Sequence, residues 1–275
     1  MFMPSILDTI VSETRARLQQ LSATRRGELE QMAEQHDPRG FRQRLIESAR
    51  GGPAIIAELK KASPSRGLIR ESFPVTDLAR QLEAAGAAAL SVLTEAKHFQ
   101  GSLENLRLAS EAVSLPCLRK DFIVDEVQLL EARAYNGDAA LLIVAALTDA
   151  ELRSLYRAAG ALGLDVLCEV HDERELERAT AIGFDIIGVN NRDLKTFEVN
   201  LKTAEHLRAR IPTSALCVAE SGIHTAADIA RLRSAGYQAF LIGESFMKQP
   251  NPGEALRALL DDSAPSSSKM EVARG

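Results

Sequence analysis

The chain has 275 residues, of which 45% are hydrophobic, and it carries a formal net charge of −5. Its length fits one α/β barrel or two ordinary domains, and its acidic balance argues against nucleic acid as a partner. No apolar run approaches the ~20 residues that cross a bilayer, and residues 1–14 lack the pattern of a signal or transit peptide. Three scattered cysteines in predicted strands indicate reduced, buried thiols in a cytoplasmic protein.

The chain begins with a helical extension. Residues 5–35 are predicted to form one amphipathic helix, with Ser5 and Asp8 as a capping box. A break at 37–40 precedes a short helix that ends near residue 52. We expect residues 1–52 to pack on the following domain as part of a single domain overall. Three placements remain open: the bottom of that domain, its mouth, or a contact with another subunit.

A second pattern repeats along the rest of the chain: a helix that ends at a glycine, followed by a continuous apolar strand. Continuous apolar strands are typical of a parallel sheet that is covered on both faces. We predict eight of them, near residues 54–60, 88–93, 116–120, 139–145, 164–169, 185–190, 215–220 and 239–243. Eight units favour an α/β fold, a (β/α)8 TIM barrel over residues 53–262, with residues 263–275 as a disordered tail. A doubly wound sheet is the alternative, but no GxGxxG follows the first strand.

The first predicted strand ends in two opposite charges, Glu58 and Lys60. Side chains two residues apart on a strand project from the same face, so this carboxylate and ammonium point the same way. Buried charges are costly unless they are paired or used. The pair is therefore either a structural ion pair or part of a reactive site.

Several later strands end in the same kinds of side chain, which in a barrel of this type converge at one mouth. The residues at these ends are Lys120, Glu169, Asn190, Glu220 and Glu244. Lysines and glutamates gathered at one opening predict an acid–base site. Neighbouring lysines destabilise each other's charged forms, so the pKa of at least one of the two lysines is expected to be lowered. The alternative is a structural network of charges that neutralise one another.

The last two strand ends predict a phosphate site. In many barrels the loops after the seventh and eighth strands bind phosphate through backbone N–H groups. Gly222 and Gly243 stand in these loops and would let the backbone approach an anion closely. Glu244 adjoins the expected anion, so its carboxylate is expected to point away.

Five motifs together carry a family resemblance: Ile56-Ala57-Glu58-Leu59-Lys60-Lys61-Ala62-Ser63-Pro64-Ser65, Leu118-Arg119-Lys120-Asp121-Phe122, Cys168-Glu169-Val170-His171, Gly188-Val189-Asn190-Asn191-Arg192-Asp193-Leu194 and Ala219-Glu220-Ser221-Gly222-Ile223. In this order and spacing the chain resembles the indole-3-glycerol-phosphate synthase family, from the N-terminal helix to about residue 260. The resemblance implies a (β/α)8 barrel with an N-terminal helical extension and a role in tryptophan biosynthesis. It also implies conversion of 1-(2-carboxyphenylamino)-1-deoxyribulose 5-phosphate to indole-3-glycerol phosphate, carbon dioxide and water, with no cofactor and no metal.

The resemblance also implies roles for individual residues. The implied catalytic residues are Glu58, Lys60, Lys120, Glu169, Asn190 and Glu220. Lys120 is the first choice for the acid that protonates the substrate ketone, with Lys60 close by. Glu58 or Glu169 is the expected base in the loss of water, and Asn190 and Glu220 are expected to orient the substrate.

The implied substrate-binding residues are Ser63, Phe99, Phe122, Arg192, Ser221, Gly222, Gly243 and Glu244. The serines, the glycines and the backbone around Glu244 would hold the phosphate, although the family often has serine where Glu244 stands. Phe99 and Phe122 either pack on the anthranilate ring or belong to an ordinary core. Arg192 either attracts the substrate carboxylate or braces its own loop.

Two other functions remain open at this stage. One is a Schiff-base aldolase in which Lys60 or Lys120 attacks a carbonyl, and the other is a barrel that only binds a phosphorylated ligand. His171 is expected to help cap the helix that follows it, and the histidines show no metal-ligand spacing. The expected partner is a small phosphorylated molecule, neither nucleic acid nor membrane. We expect a monomer or a weak homodimer; the sequence does not distinguish between the two.

Overall fold

The computed structural model describes residues 5–19 and 23–263. In chain order its strands are β1 (Ala54–Leu59), β2 (Ala62–Ser63), β3 (Gly67–Leu68), β4 (Ala89–Leu93), β5 (Cys117–Lys120), β6 (Ala139–Ile143), β7 (Asp165–Val170), β8 (Ile186–Asn190), β9 (Leu216–Glu220) and β10 (Ala239–Ile242). Strands β1 and β4 to β10 pair in parallel and close on themselves, since β1 bonds to both β4 and β10. The predicted TIM barrel is therefore confirmed. Strands β2 and β3 form a small antiparallel hairpin after β1, which the sequence patterns did not predict.

Most of the helices follow barrel strands and cover the outside, and the first three precede the barrel. They are α1 (Ile6–Leu18), α2 (Ala23–Ala33), α3 (Phe41–Ala49), α4 (Val75–Ala84), α5 (Leu103–Ala112), α6 (Glu126–Ala134), α7 (Asp149–Ala161), α8 (Glu173–Ile182), α9 (Lys202–Arg208), α10 (Ala226–Ala235), α11 (Glu244–Met247) and α12 (Pro252–Ser263). Within the described ranges, no helix is long and apolar enough to span a membrane. The predicted tail lies outside the described residues from 264 onward, and Ser263 still belongs to α12.

The core has two parts because successive side chains of a strand point to opposite faces. Outward residues such as Ile55 and Leu59 pack against the surrounding helices. Inward residues such as Ile56 and Leu118 fill the barrel interior together with Phe41 of α3. Helix α3 thus closes the lower end of the barrel, at the amino ends of the strands, and leaves the upper end for polar side chains.

The N-terminal extension differs from the single helix that was predicted for residues 5–35. The described residues form two helices with different apolar contacts. Helix α1 starts at the predicted capping box, in which Ser5 Oγ accepts the N–H of Asp8 at 3.1 Å. Helix α2 packs against α6 instead, with Leu29 buried in a separate apolar cluster. Leu18 near the end of α1 packs against the same cluster, whereas the rest of α1 reaches residues 144–146 after β6, so one straight helix does not make both sets of contacts.

A buried ionic cluster fastens the extension to the barrel below α3. Asp138 is fully buried and accepts hydrogen bonds from the backbone N–H of Arg39 at 2.7 Å and from its guanidinium at 2.6 Å. The same carboxylate accepts the backbone N–H of Cys117 in β5 at 2.6 Å and contacts His36 at 3.1 Å. One carboxylate therefore joins the segment before α3 to two neighbouring strands.

Candidate active site

The upper end of the barrel holds a pocket of about 270 Å³, where the carboxyl ends of the strands meet. All the residues predicted to bind substrate or act in catalysis line it: Glu58, Lys60, Ser63, Phe99, Lys120, Phe122, Glu169, Asn190, Arg192, Glu220, Ser221, Gly222, Gly243 and Glu244. Side chains that are far apart in sequence converge here because the parallel register aligns the strand ends.

The end of β1 supplies the first charged pair. Lys60 Nζ lies 2.5 Å from Glu58 Oε1, so the predicted shared face is confirmed for these two residues. The carboxylate of Glu58 is buried, whereas the ammonium of Lys60 stays partly exposed at the pocket wall. Gly243 stands against this pair, since a Cβ at position 243 would lie 2.6 Å from Glu58 Oε1. Glycine at position 243 therefore leaves room for the carboxylate of Glu58.

A second pair joins β5 to β7 across the floor of the pocket. Lys120 Nζ lies 3.2 Å from Glu169 Oε2. Burial lowers the pKa of Lys120, but the carboxylates of Glu169, Glu220 and Glu58 outweigh burial and raise that pKa above its ordinary value. The expectation that neighbouring lysines lower a lysine pKa is therefore wrong at Lys120, because carboxylates dominate its surroundings. These contacts favour the charged form of the Lys120 ammonium.

The two carboxylates near Lys120 have opposite protonation tendencies. Burial acts to raise the pKa of Glu169, but Lys120 and His171 overcome it and hold the pKa well below its usual range. Burial raises the pKa of Glu220 well above its usual range, and the charge of Glu169 adds to the rise. Among the described atoms, Glu220 Oε1 is buried without a hydrogen-bond partner. The site thus pairs an ionised carboxylate with one that favours its protonated form, which is a common arrangement in acid–base catalysis.

The wall of the pocket carries two aromatic rings and a loop held by Arg192. Phe99 and Phe122 contact each other with their ring centroids 6.0 Å apart, so both rings form pocket wall. Arg192 donates to the carbonyl of Phe197 at 3.2 Å and therefore braces its loop. Its backbone N–H donates to Asn190 Oδ1 at 3.0 Å, which orients the Asn190 amide.

The loops after β9 and β10 form the end of the pocket where phosphate binding was predicted. Ser221 and Gly222 both have positive φ angles, 65° and 76°, so the chain turns sharply there. The carboxylate of Glu244 lies 2.5 Å from Lys248 and 3.0 Å from Arg66 at the tip of the β2–β3 hairpin. The carboxylate of Glu244 is therefore paired with two cationic side chains, Lys248 and Arg66.

Helix α1 lies over the mouth of the barrel, whereas α3 of the same extension covers the bottom. Ile6, Leu7 and Ile10 line the pocket from above. Ionic contacts hold the helix there, including Arg15 to Glu151 at 2.7 Å and an ion pair between Glu13 and Lys97. These apolar side chains shield the pocket from water, which sequence periodicity alone did not indicate.

Other residues that support the site were missed. Arg119 is 1% exposed and pairs with Asp121 at 2.9 Å behind Lys120, in a strand whose apolar run gave no reason to expect an ion pair. Asn191 is buried and donates to the carbonyls of Glu220 and Ser221 at 3.0 and 3.2 Å. Its only sequence signal was its place directly after a strand. Within residues 5–19 and 23–263, no group of three His, Cys, Asp or Glu side chains is arranged to hold a metal ion.

Fold and pocket define a (β/α)8-barrel protein in which lysine and glutamate side chains gather in one pocket at the carboxyl ends of the strands. Two solved structures share the fold: KGPDC from Streptococcus mutans (TM-score 0.60, 10% identity, 77% of this chain and 97% of that one) and N-acetylmannosamine-6-phosphate 2-epimerase from Clostridium perfringens (TM-score 0.58, 14% identity, 78% and 95%). At these identities they show the fold alone.

Sequence comparison identifies the family. The family model described as indole-3-glycerol phosphate synthase matches residues 7–259. The indole-3-glycerol phosphate synthase of Koribacter versatilis is 59% identical over 259 residues, 94% of this chain and 100% of the relative. That of Aromatoleum aromaticum is 48% identical over 263 residues, 94% and 99% respectively. The chain belongs to the indole-3-glycerol phosphate synthase family.

Proposed function

We propose that this chain is a carbon–carbon lyase that converts 1-(2-carboxyphenylamino)-1-deoxyribulose 5-phosphate to indole-3-glycerol phosphate, carbon dioxide and water, in tryptophan biosynthesis. The observation that carries the proposal is the meeting of two lysine–carboxylate pairs, Glu58 with Lys60 and Lys120 with Glu169, in one pocket of a family member. Ring closure and dehydration both need proton transfers, and these pairs supply acids and bases.

In the first step the arene carbon that bears the carboxylate attacks the substrate ketone. The ketone oxygen takes a proton as the new bond forms, and the charged ammonium of Lys120 is the proposed donor. Ring closure leaves positive charge on the aryl nitrogen, and this iminium accepts the electron pair that remains when carbon dioxide departs. The electron sink thus belongs to the substrate, so the proposed chemistry calls for no cofactor.

The second step removes water from the ring-closed intermediate. A lysine protonates the leaving hydroxyl, and a carboxylate removes the proton from the carbon next to nitrogen. Glu169 suits the base role because its pKa is held low and it is ionised at neutral pH. Two protons are delivered and one is removed, so each turnover takes up one proton from solvent as the carboxylate leaves as neutral carbon dioxide.

Binding roles follow from the pocket walls. We propose that Ser63, Ser221, Gly222 and Gly243 hold the phosphate, and that Phe99 and Phe122 pack on the anthranilate ring. Asn190 and Glu220 would orient polar groups of the substrate, and Arg192 would face its carboxylate from the braced loop. A monomer or weak homodimer in the cytoplasm remains the prediction for the assembled protein, and sedimentation would test the oligomeric state.

The Schiff-base alternative is less well supported, because a lysine must lose its proton before it attacks a carbonyl. The carboxylates around Lys120 favour its charged form, and Lys60 is paired with Glu58. Purified protein incubated with the carboxyphenylamino substrate should yield indole fluorescence together with carbon dioxide. Borohydride trapping of substrate on a lysine would point to the aldolase, and binding without turnover would point to a ligand-binding barrel.

A further inference from the structure

A line of side chains with alternating charges runs from the pocket outward next to β7. Lys120 Nζ contacts Glu169 Oε2 at 3.2 Å, and the other oxygen of Glu169, Oε1, lies 3.3 Å from His171 Nε2. His171 Nδ1 in turn lies 3.0 Å from Glu175 Oε2. The order of groups is therefore ammonium, carboxylate, imidazole and carboxylate.

The local fold explains why His171 faces Glu169. It is two residues beyond Glu169, so the alternation of the strand carries both side chains to the same side. His171 was expected to help cap α8; the N-cap side chain is that of Asp172, which accepts the N–H of Glu175 at 2.8 Å, and His171 contributes its backbone N–H to the Glu175 side chain. The backbone N–H and the Nδ1 of His171 both contact Glu175 Oε2, at 2.8 and 3.0 Å, whereas the buried Nε2 faces Glu169 at ion-pair distance without a hydrogen bond. The imidazole is 10% exposed.

We propose that His171, as an imidazolium, is a positioning residue for Glu169: it holds the carboxylate of Glu169 ionised and turned so that its other oxygen faces Lys120. The inference rests on the proposed function, since it gives Glu169 a part in the reaction. Neither His171 nor Glu175 lines the pocket, so His171 acts through Glu169 and does not touch the substrate.

The electrostatic surroundings support a charged imidazole. Burial lowers the pKa of His171, but Glu169 and Glu175 outweigh burial and raise it to about 10. Among the described residues these two carboxylates are the charged groups in contact with the ring. Arg178, which lies on α8 together with Glu175, instead pairs with Asp149 at 2.7 Å and donates to main-chain carbonyls. A cation on each side of Glu169 fits the low pKa of that carboxyl.

The decisive variant is His171→Gln, which keeps an amide N–H donor but removes the charge. The kcat of this variant should fall by about 10-fold at neutral pH, because the carboxylate of Glu169 is no longer held in position. The acid limb of the kcat profile should move up by ~1 pH unit or more, because the pKa of Glu169 rises. KM should change little, since the substrate does not touch position 171. The matched control is His206→Gln. His206 lies on α9 and pairs with the exposed Glu173 of α8 at 2.6 Å, so this variant should leave the profile unchanged.

A second measurement does not depend on turnover. In the unaltered protein the imidazole carbon protons, followed by NMR, should show His171 still protonated at pH 8, and the Glu169 carboxyl carbon should titrate higher in His171→Gln. Glu175→Gln should lower the midpoint of His171. An unchanged acid limb in His171→Gln, or a His171 midpoint near ~6.5, would overturn the inference. If these NMR results appear but no indole product forms, the proposed function fails while the positioning of Glu169 by His171 stands.

Discussion

The side chain of Glu58 occupies the space in which a side chain at position 243 would stand. A Cβ on Gly243 would lie 2.6 Å from Glu58 Oε1 and 2.7 Å from its Cβ. The first and last strands of the barrel are hydrogen-bonded neighbours, so a glycine at the end of β10 determines where the carboxylate of β1 can point. The pair formed by Glu58 and Lys60 therefore depends on a residue more than 180 positions away.

Gly243→Ala should displace the carboxylate of Glu58 and disturb its contact with Lys60. Misplacing a catalytic group by ~1 Å can cost up to ~10²-fold in rate, so we expect kcat to fall by 10-fold or more with the fold retained. Steady-state kinetics and circular dichroism would measure both. Gly160→Ala is the control, because nothing lies within 4 Å of the added carbon and alanine favours a helix. A Gly243→Ala enzyme with unchanged kcat would show that Glu58 needs no such room.

Glu169→Gln should destabilise the protein strongly at neutral pH. The substitution leaves Lys120 and His171 without their shared anion in a buried site, which typically costs about 3–5 kcal/mol. The folded pKa of Glu169 is lower than its value of 4.5 in the unfolded chain, so its stabilising contribution is present above pH 4.5 and is lost as pH falls. Urea unfolding at several pH values should show the cost shrink on acidification, and a cost that stays constant with pH would contradict the assignment.

Glu220→Gln should behave in the opposite way. The folded pKa of Glu220 is raised by burial and by Glu169, so this carboxyl opposes folding once the pH exceeds its unfolded value of 4.5. Replacing it with a neutral amide should leave the free energy of unfolding at pH 7 unchanged or increase it. The same urea experiments measure this, and a loss as large as that of Glu169→Gln would mean that Glu220 is ionised in the folded protein.

Glu244→Ser should improve binding of the substrate phosphate. Glu244 places a negative charge where the family often has serine, next to the loop that is proposed to hold the phosphate. Removing one partly shielded charge is worth about 1 kcal/mol, so KM should fall by about 5-fold and inorganic phosphate should inhibit more strongly. Glu104→Gln, on the exposed face of α5, serves as the control. A higher KM would show instead that Glu244 acts mainly by holding Arg66 over the site.

Asp138→Ala should unfold the protein at lower urea concentration without changing the chemistry of the pocket. Its carboxylate joins Arg39, His36 and the N–H of Cys117 below the barrel, and removing a buried partner of this kind costs about 3–5 kcal/mol. The kcat of the folded fraction should stay close to that of the unaltered protein. Glu205→Ala, which breaks an exposed pair with Arg231, should cost less than ~1 kcal/mol.

The barrel was predictable because its signals are local and repeated. Apolar runs such as 139–145 mark buried strands, and glycines such as Gly183 and Gly236, found at φ 88° and 108°, end helices. The pairing of Glu58 with Lys60 also followed from strand alternation. In each of these cases a short stretch of sequence holds all the necessary information.

The rest depends on contacts between distant parts of the chain. Periodicity does not show that α1 reaches the pocket while α2 packs against α6, or that Gly243 makes room for Glu58. The raised pKa of Lys120 was not foreseen, because it depends on Glu169 and Glu220, 49 and 100 positions further along the chain.

The central claim is that Lys120 is the acid that starts the reaction in this pocket, and single-turnover kinetics of Lys120→Met test it most directly. Substrate and excess enzyme would be mixed and indole fluorescence followed, with the exposed Lys202→Met as the control and calorimetry to measure substrate binding. We predict that the rate of indole formation falls by ~10²–10⁴-fold while the substrate still binds. Indole formation within ~10-fold of the unaltered rate would contradict the claim.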